Sequence, residues 1–78
     1  MKLVKQIVGE TPLIKISNKV YAKLETYNPA GSIKDRMVTY VVDKARMFGK
    51  ISDNSILCEA TSGNTGISLS MVAASMGM

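Results

Sequence analysis

Two polar stretches hold the residues able to do chemistry. The first, Asn28-Pro29-Ala30-Gly31-Ser32-Ile33-Lys34-Asp35-Arg36, opens a helix with a lysine inside its first turn. A cation there opposes the positive end of the helix macrodipole, at a cost of up to about 1 kcal/mol when exposed. The same field and any desolvation favour the neutral amine, which suits a lysine acting as nucleophile or base. A solvated surface lysine answered by Asp35 is the commoner reason for such a residue, so Lys34 taken alone establishes nothing. The second stretch, Thr61-Ser62-Gly63-Asn64-Thr65-Gly66, is a glycine-containing strand-to-helix turn. Its hydroxyls, its amide and the free N–H groups of the helix start form a nest for a carboxylate or phosphate. An ordinary capped turn is the alternative. Neither the lysine-bearing phosphate loop nor the G-x-G-x-x-G fingerprint is present, since Ile67 follows Gly66.

The elements between these loops must bring them together. Asn-Pro-Ala-Gly is turn punctuation, and Ser32 with Asp35 fits a capping box. Ile33, Met37, Val38, Val41, Val42, Ala45 and Phe48 then recur at intervals of three and four, predicting a helix over about 32–48 that Gly49 stops. Residues 20–27 alternate as a strand with one drier face, and Ile56-Leu57-Cys58-Glu59-Ala60 is a second run of strand length with Cys58 as a buried thiol. Ile67 to Met78 is apolar almost all round, a helix that other elements must bury. The pattern predicts one partial domain over 1–78, with an extended lead-in over 1–19 and a β-α-β-α unit over 20–78. The fold class is α/β with a parallel, doubly wound sheet. If the two strands are neighbours, Lys34 and Asn64 emerge at the same sheet edge, facing one crevice.

Composition narrows the partners. The hydrophobic fraction is 46% and the charged fraction 21%, ordinary for a globular chain. No run approaches a membrane span and no secretory apolar core follows the N-terminus, so a cytoplasmic setting is expected. One cysteine excludes an internal disulfide, and without histidine neither zinc nor histidine-based catalysis is expected. The net charge of +4 is scattered and the aromatics are few, against nucleic acid and compatible with small anions.

An amine beside a carboxylate nest is what an amino-acid enzyme with a carbonyl-condensing lysine needs. The two motifs, Asn28 to Arg36 and Glu59 to Ile67, closely resemble those of the pyridoxal-phosphate-dependent cysteine synthase (O-acetylserine sulfhydrylase) family of fold type II. Gly9-Glu10-Thr11-Pro12-Leu13 is similar to that family's N-terminal element. The resemblance implies that Lys34 holds pyridoxal 5'-phosphate covalently and removes the substrate's α-proton. It implies that Asn64 bonds the cofactor's 3'-oxygen, and that Thr61, Ser62, Asn64 and Thr65 grip the substrate carboxylate. The implied reaction is β-replacement, O-acetylserine plus sulfide to cysteine plus acetate. A homodimer and a serine acetyltransferase partner are implied as well. The family's glycine-rich phosphate loop and its pyridine-nitrogen contact lie beyond Met78, so the chain is expected to be an N-terminal fragment, inactive by itself. A cystathionine β-synthase-like enzyme and a non-catalytic, self-associating α/β module are the alternatives.

Overall fold

Only Asn18 and Lys19 separate the first two extended runs, so they fold back on each other. The computed structural model describes residues 1–78. After a single helical turn, α1 (Val4–Ile7), the strands β1 (Leu13–Ser17) and β2 (Val20–Lys23) form an antiparallel hairpin. Leu13 stands opposite Lys23 and Ile14 opposite Ala22, and the register slips between Lys15 and Ser17, as at a β-bulge. A 3-10 turn at Glu25–Tyr27 leads to α2 (Lys34–Met47), and α3 (Asn64–Ser75) follows a long irregular segment. Gly49, at φ +70, ends α2 while Lys50 N–H bonds back to the Ala45 carbonyl.

The α/β class stands, but the parallel pairing expected inside this chain is absent. β2 takes β1 as its neighbour because a two-residue turn delivers it directly, and it ends at Lys23 rather than at residue 27. Residues 56–60 run without a strand partner, since no second strand is laid beside them. Cys58, expected inside a buried strand, is consequently exposed.

The core lies between α2 and α3. Val38, Val42 and Val72 are buried, with Ile51, Leu57, Leu69, Met71 and Met76 packed around them. The apolar stripe expected on α2 is wider than the face it buries. Ile33, Met37, Val41 and Phe48 remain exposed, because α3 covers only the line through Val38 and Val42. α3 likewise buries only Ser68 and Val72.

A polar knot joins the N-terminal half to α2. Asn28, 4% exposed, accepts from Gly9 N–H at 2.8 Å and donates to the carbonyls of Glu25 and Ser32, each at 3.0 Å. Arg36 donates through Nε to Glu25 and through Nη2 to Glu25, Gly9 and Thr11. Buried Thr11 in turn donates to Glu25 Oε2 at 2.5 Å. The Arg36 hydrogen bond, and after it that of Thr11, holds the Glu25 carboxyl down at about 2 against its ordinary 4.5. The same contact raises the Arg36 guanidinium.

A depressed carboxyl stabilises the fold fully above its unfolded value and loses that contribution as pH falls through the folded one. The knot therefore weakens as pH drops from about 4.5 toward about 2. Urea midpoints measured across that interval should fall more steeply for the parent chain than for Glu25→Gln, whose amide does not titrate.

Candidate functional site

The lysine loop is held from beneath. Asn28 Nδ2 donates to the Ser32 carbonyl at 3.0 Å, and Ser32 Oγ accepts the Lys34 N–H at 3.2 Å, satisfying one of the orphan donors at the head of α2. Lys34 is the first residue of α2, exposed, with no ion pair. Asp35 neither answers it nor closes a capping box on Ser32. Its carboxylate turns inward, is wholly buried, and accepts from Ala30 N–H at 2.7 Å and from Ser68 Oγ–H at 2.5 Å.

The second loop is organised by its own threonine. Thr61 Oγ1 accepts from Gly63 N–H and Gly66 N–H, both at 3.2 Å, which caps α3 from outside. The N–H groups of Asn64 and Thr65, at the first positions of the helix, have no acceptor in the chain and carry the partial positive charge of the helix end. Ser62 and Asn64 are exposed, and Thr65 is half-buried.

The two loops are tied to each other by the Asp35–Ser68 bond. Residue 35 meets 68, and further along 38 and 42 meet 72, so the helices run in the same sense with their heads on the same side. Lys34 and Asn64, each the first residue of its helix, thus stand at adjacent helix heads. Thr65 lines a cavity of about 130 Å³ against Met37 and Val41 of α2, while Thr61 lines a groove of about 370 Å³ with Leu57 and Glu59. Lys34, Ser62 and Asn64 line none of the cavities. An amine and a set of anion donors are brought to one side, but they are not enclosed.

Asp35, Ser68, Thr11 and Glu25 hold these loops in place, and none was singled out for that from the sequence. Asp35 could have been, because it shares the helical face of Val38 and Val42, an unusual place for a solvated acid.

The close approach of Gly66 to Thr61 is testable. A Cβ on Gly66 would lie 2.3 Å from Thr61 Cγ2, so Gly66→Ala forces the threonine to turn and release its two N–H partners. The helix interior gains up to about 1 kcal/mol from alanine while losing a cap worth about the same. Amide exchange at Gly63 and at residue 66 should accelerate roughly fivefold while circular dichroism shows no loss of helix.

Residues 4–78 match the family described as pyridoxal-phosphate dependent enzyme. The chain is 44% identical to cysteine synthase B of Escherichia coli (strain K12) over 99% of its own length and 28% of that protein's. It is 46% identical to the cysteine synthase of Staphylococcus aureus (strain Mu50), covering 92% of this chain and 26% of the relative. Among solved structures it resembles an O-acetylserine dependent cystathionine beta-synthase from Helicobacter pylori at TM-score 0.86 and 38% identity, over 97% of this chain and 28% of that one. A hydrogen sulfide-producing enzyme from Fusobacterium nucleatum gives a TM-score of 0.85 at 41% identity, over 95% of this chain and 26% of the other. The chain spans a little more than a quarter of the length of the relatives it matches. On the match over residues 4–78 and these identities, the chain belongs to the pyridoxal-phosphate dependent enzymes.

Proposed function

We propose that this chain carries the lysine and the carboxylate-binding loop of an enzyme that makes cysteine by β-replacement, sulfide displacing acetate from O-acetylserine. The observation that supports it most is the pairing of helix heads, with an unpartnered Lys34 amine at one and free N–H donors at the other, joined through Asp35 and Ser68.

The donor set fits pyridoxal phosphate. Lys34 offers a free primary amine to an aldehyde, and the Asn64 carboxamide can bond the 3'-oxygen. Bound there, the cofactor supplies the electron sink that stabilises charge at the substrate Cα. The chain's own residues do the rest. Thr61, Ser62, Asn64 and Thr65 bind and orient the substrate carboxylate; Thr61 keeps its hydroxyl hydrogen for this while its oxygen holds the two glycine N–H groups. Lys34 Nζ takes the proton from the substrate Cα, which the grip on the carboxylate aims toward it.

Residues 1–78 form one partial domain on this reading, inactive without the remainder that encloses Lys34 and Asn64. The homodimer, the serine acetyltransferase partner and the cytoplasmic setting implied by the resemblance belong to the same proposal. No helix of the chain is long and apolar enough to cross a membrane. The likeness to an O-acetylserine dependent cystathionine beta-synthase favours one second reading, with a thiol amino acid replacing sulfide as nucleophile.

Borohydride reduction after mixing with pyridoxal phosphate should label Lys34 ahead of the other lysines, and labelling spread evenly over them would overturn the assignment. In a version extended to the length of the relatives, Lys34→Ala should lower cysteine formation by about 10²–10⁴-fold. Comparing sulfide with homocysteine as nucleophile separates the two readings.

A further inference from the structure

We propose that Asp35 of α2 and Ser68 of α3 are a positioning pair that sets the reactivity of the Lys34 amine by fixing the two helix heads to each other; this rests on the reading of Lys34 as the cofactor lysine. Both side chains are fully withdrawn from water and meet at 2.5 Å. Neither does what its place in its own helix would ordinarily have it do. A first-turn aspartate commonly bonds the N–H groups of its own helix; Asp35 reaches back to Ala30 N–H, in the turn that delivers Lys34. A serine inside a helix commonly bonds a carbonyl one turn earlier. Ser70 does so to Gly66 and Ser75 bonds the carbonyl of Val72, whereas Ser68 sends its hydroxyl across to α2.

The link between the two helix heads is therefore short and polar. Lys34 precedes Asp35 in the chain, Asp35 holds Ser68, and Ser68 lies one helical turn from Asn64. A dry interior that exposes no water to these groups charges a desolvation cost for them, and small apolar side chains would fill the same space without it. What an apolar contact does not supply is a fixed register. The valines beneath it can slide along one another, while a hydrogen bond between two named atoms cannot. The pair thus locks the head of α2 against the head of α3 at the place where the amine and the donors of Asn64 and Thr65 must present themselves together.

Two variants of the 78-residue chain divide the outcomes, read by mass spectrometry as the ratio of borohydride-trapped pyridoxal phosphate on Lys34 to that on the other lysines, with helix content followed by circular dichroism. Ser68→Ala keeps the helix and removes the bridge, so the ratio should fall at least about tenfold. Asp35→Asn can accept from Ala30 N–H through Oδ1 and donate to Ser68 Oγ through Nδ2, so both links survive and the ratio should stay within about twofold of the parent. A folded Ser68→Ala chain that labels Lys34 as selectively as the parent overturns the proposal while leaving the cofactor lysine in place. Unselective labelling of the parent overturns both. If Ser68→Ala does not fold, Ser68→Cys decides, because it fills the same space with a far weaker donor: a fall of the same size supports the pair, and an unchanged ratio in a folded chain overturns it.

Discussion

A carboxylate held out of water at the second residue of a helix must be given partners, and the partners Asp35 finds define the molecule. One is the backbone of the turn before α2, the other a hydroxyl in the second turn of α3. Through these two bonds three separate stretches of chain, the turn, α2 and α3, acquire a common origin. The packing of Val38 and Val42 against Val72 then follows the same line down the helices. Were the carboxylate exposed, as a capping acid is, the helices could meet in several registers and the two loops would have no defined relation.

The N-terminal half is attached by the same kind of device. Asn28 and Arg36 gather carbonyls, an amide and the Glu25 carboxylate from residues far apart in sequence. Asn28 and Thr11 are buried although polar, which is stable because each finds hydrogen-bond partners. The motif from Asn28 to Arg36 therefore serves mostly as a joint. Lys34, the residue proposed to hold the cofactor, is exposed and unpaired, and the others set where it stands.

Much of this was legible in the residues. The intervals of three and four in residues 33–48 marked α2, and the glycine-containing hexapeptide marked the head of α3, because helix periodicity and turn chemistry are local properties. Pairing partners are not local. Nothing within residues 20–27 says whether the neighbour will be the run before it or the run after α2, and a two-residue turn settled the matter in favour of the hairpin. Residues 56–60 have the composition of a strand, yet a strand is made by what lies beside it. The burial of Asp35 was written in its register with Val38 and Val42, but an acid in a first turn invites a capping explanation, and that local rule concealed a tertiary contact.

The scarcity of buried apolar side chains has a calorimetric consequence. Heat-capacity change on unfolding comes mainly from apolar surface newly wetted, with polar exposure subtracting from it. A chain whose interior is three valines ringed by half-covered neighbours, and whose remaining joints are polar, has little such surface to release. Its melting should be shallow and spread over a wide range of temperature. Cooling should weaken it far less than it weakens a protein held together by a large oily centre.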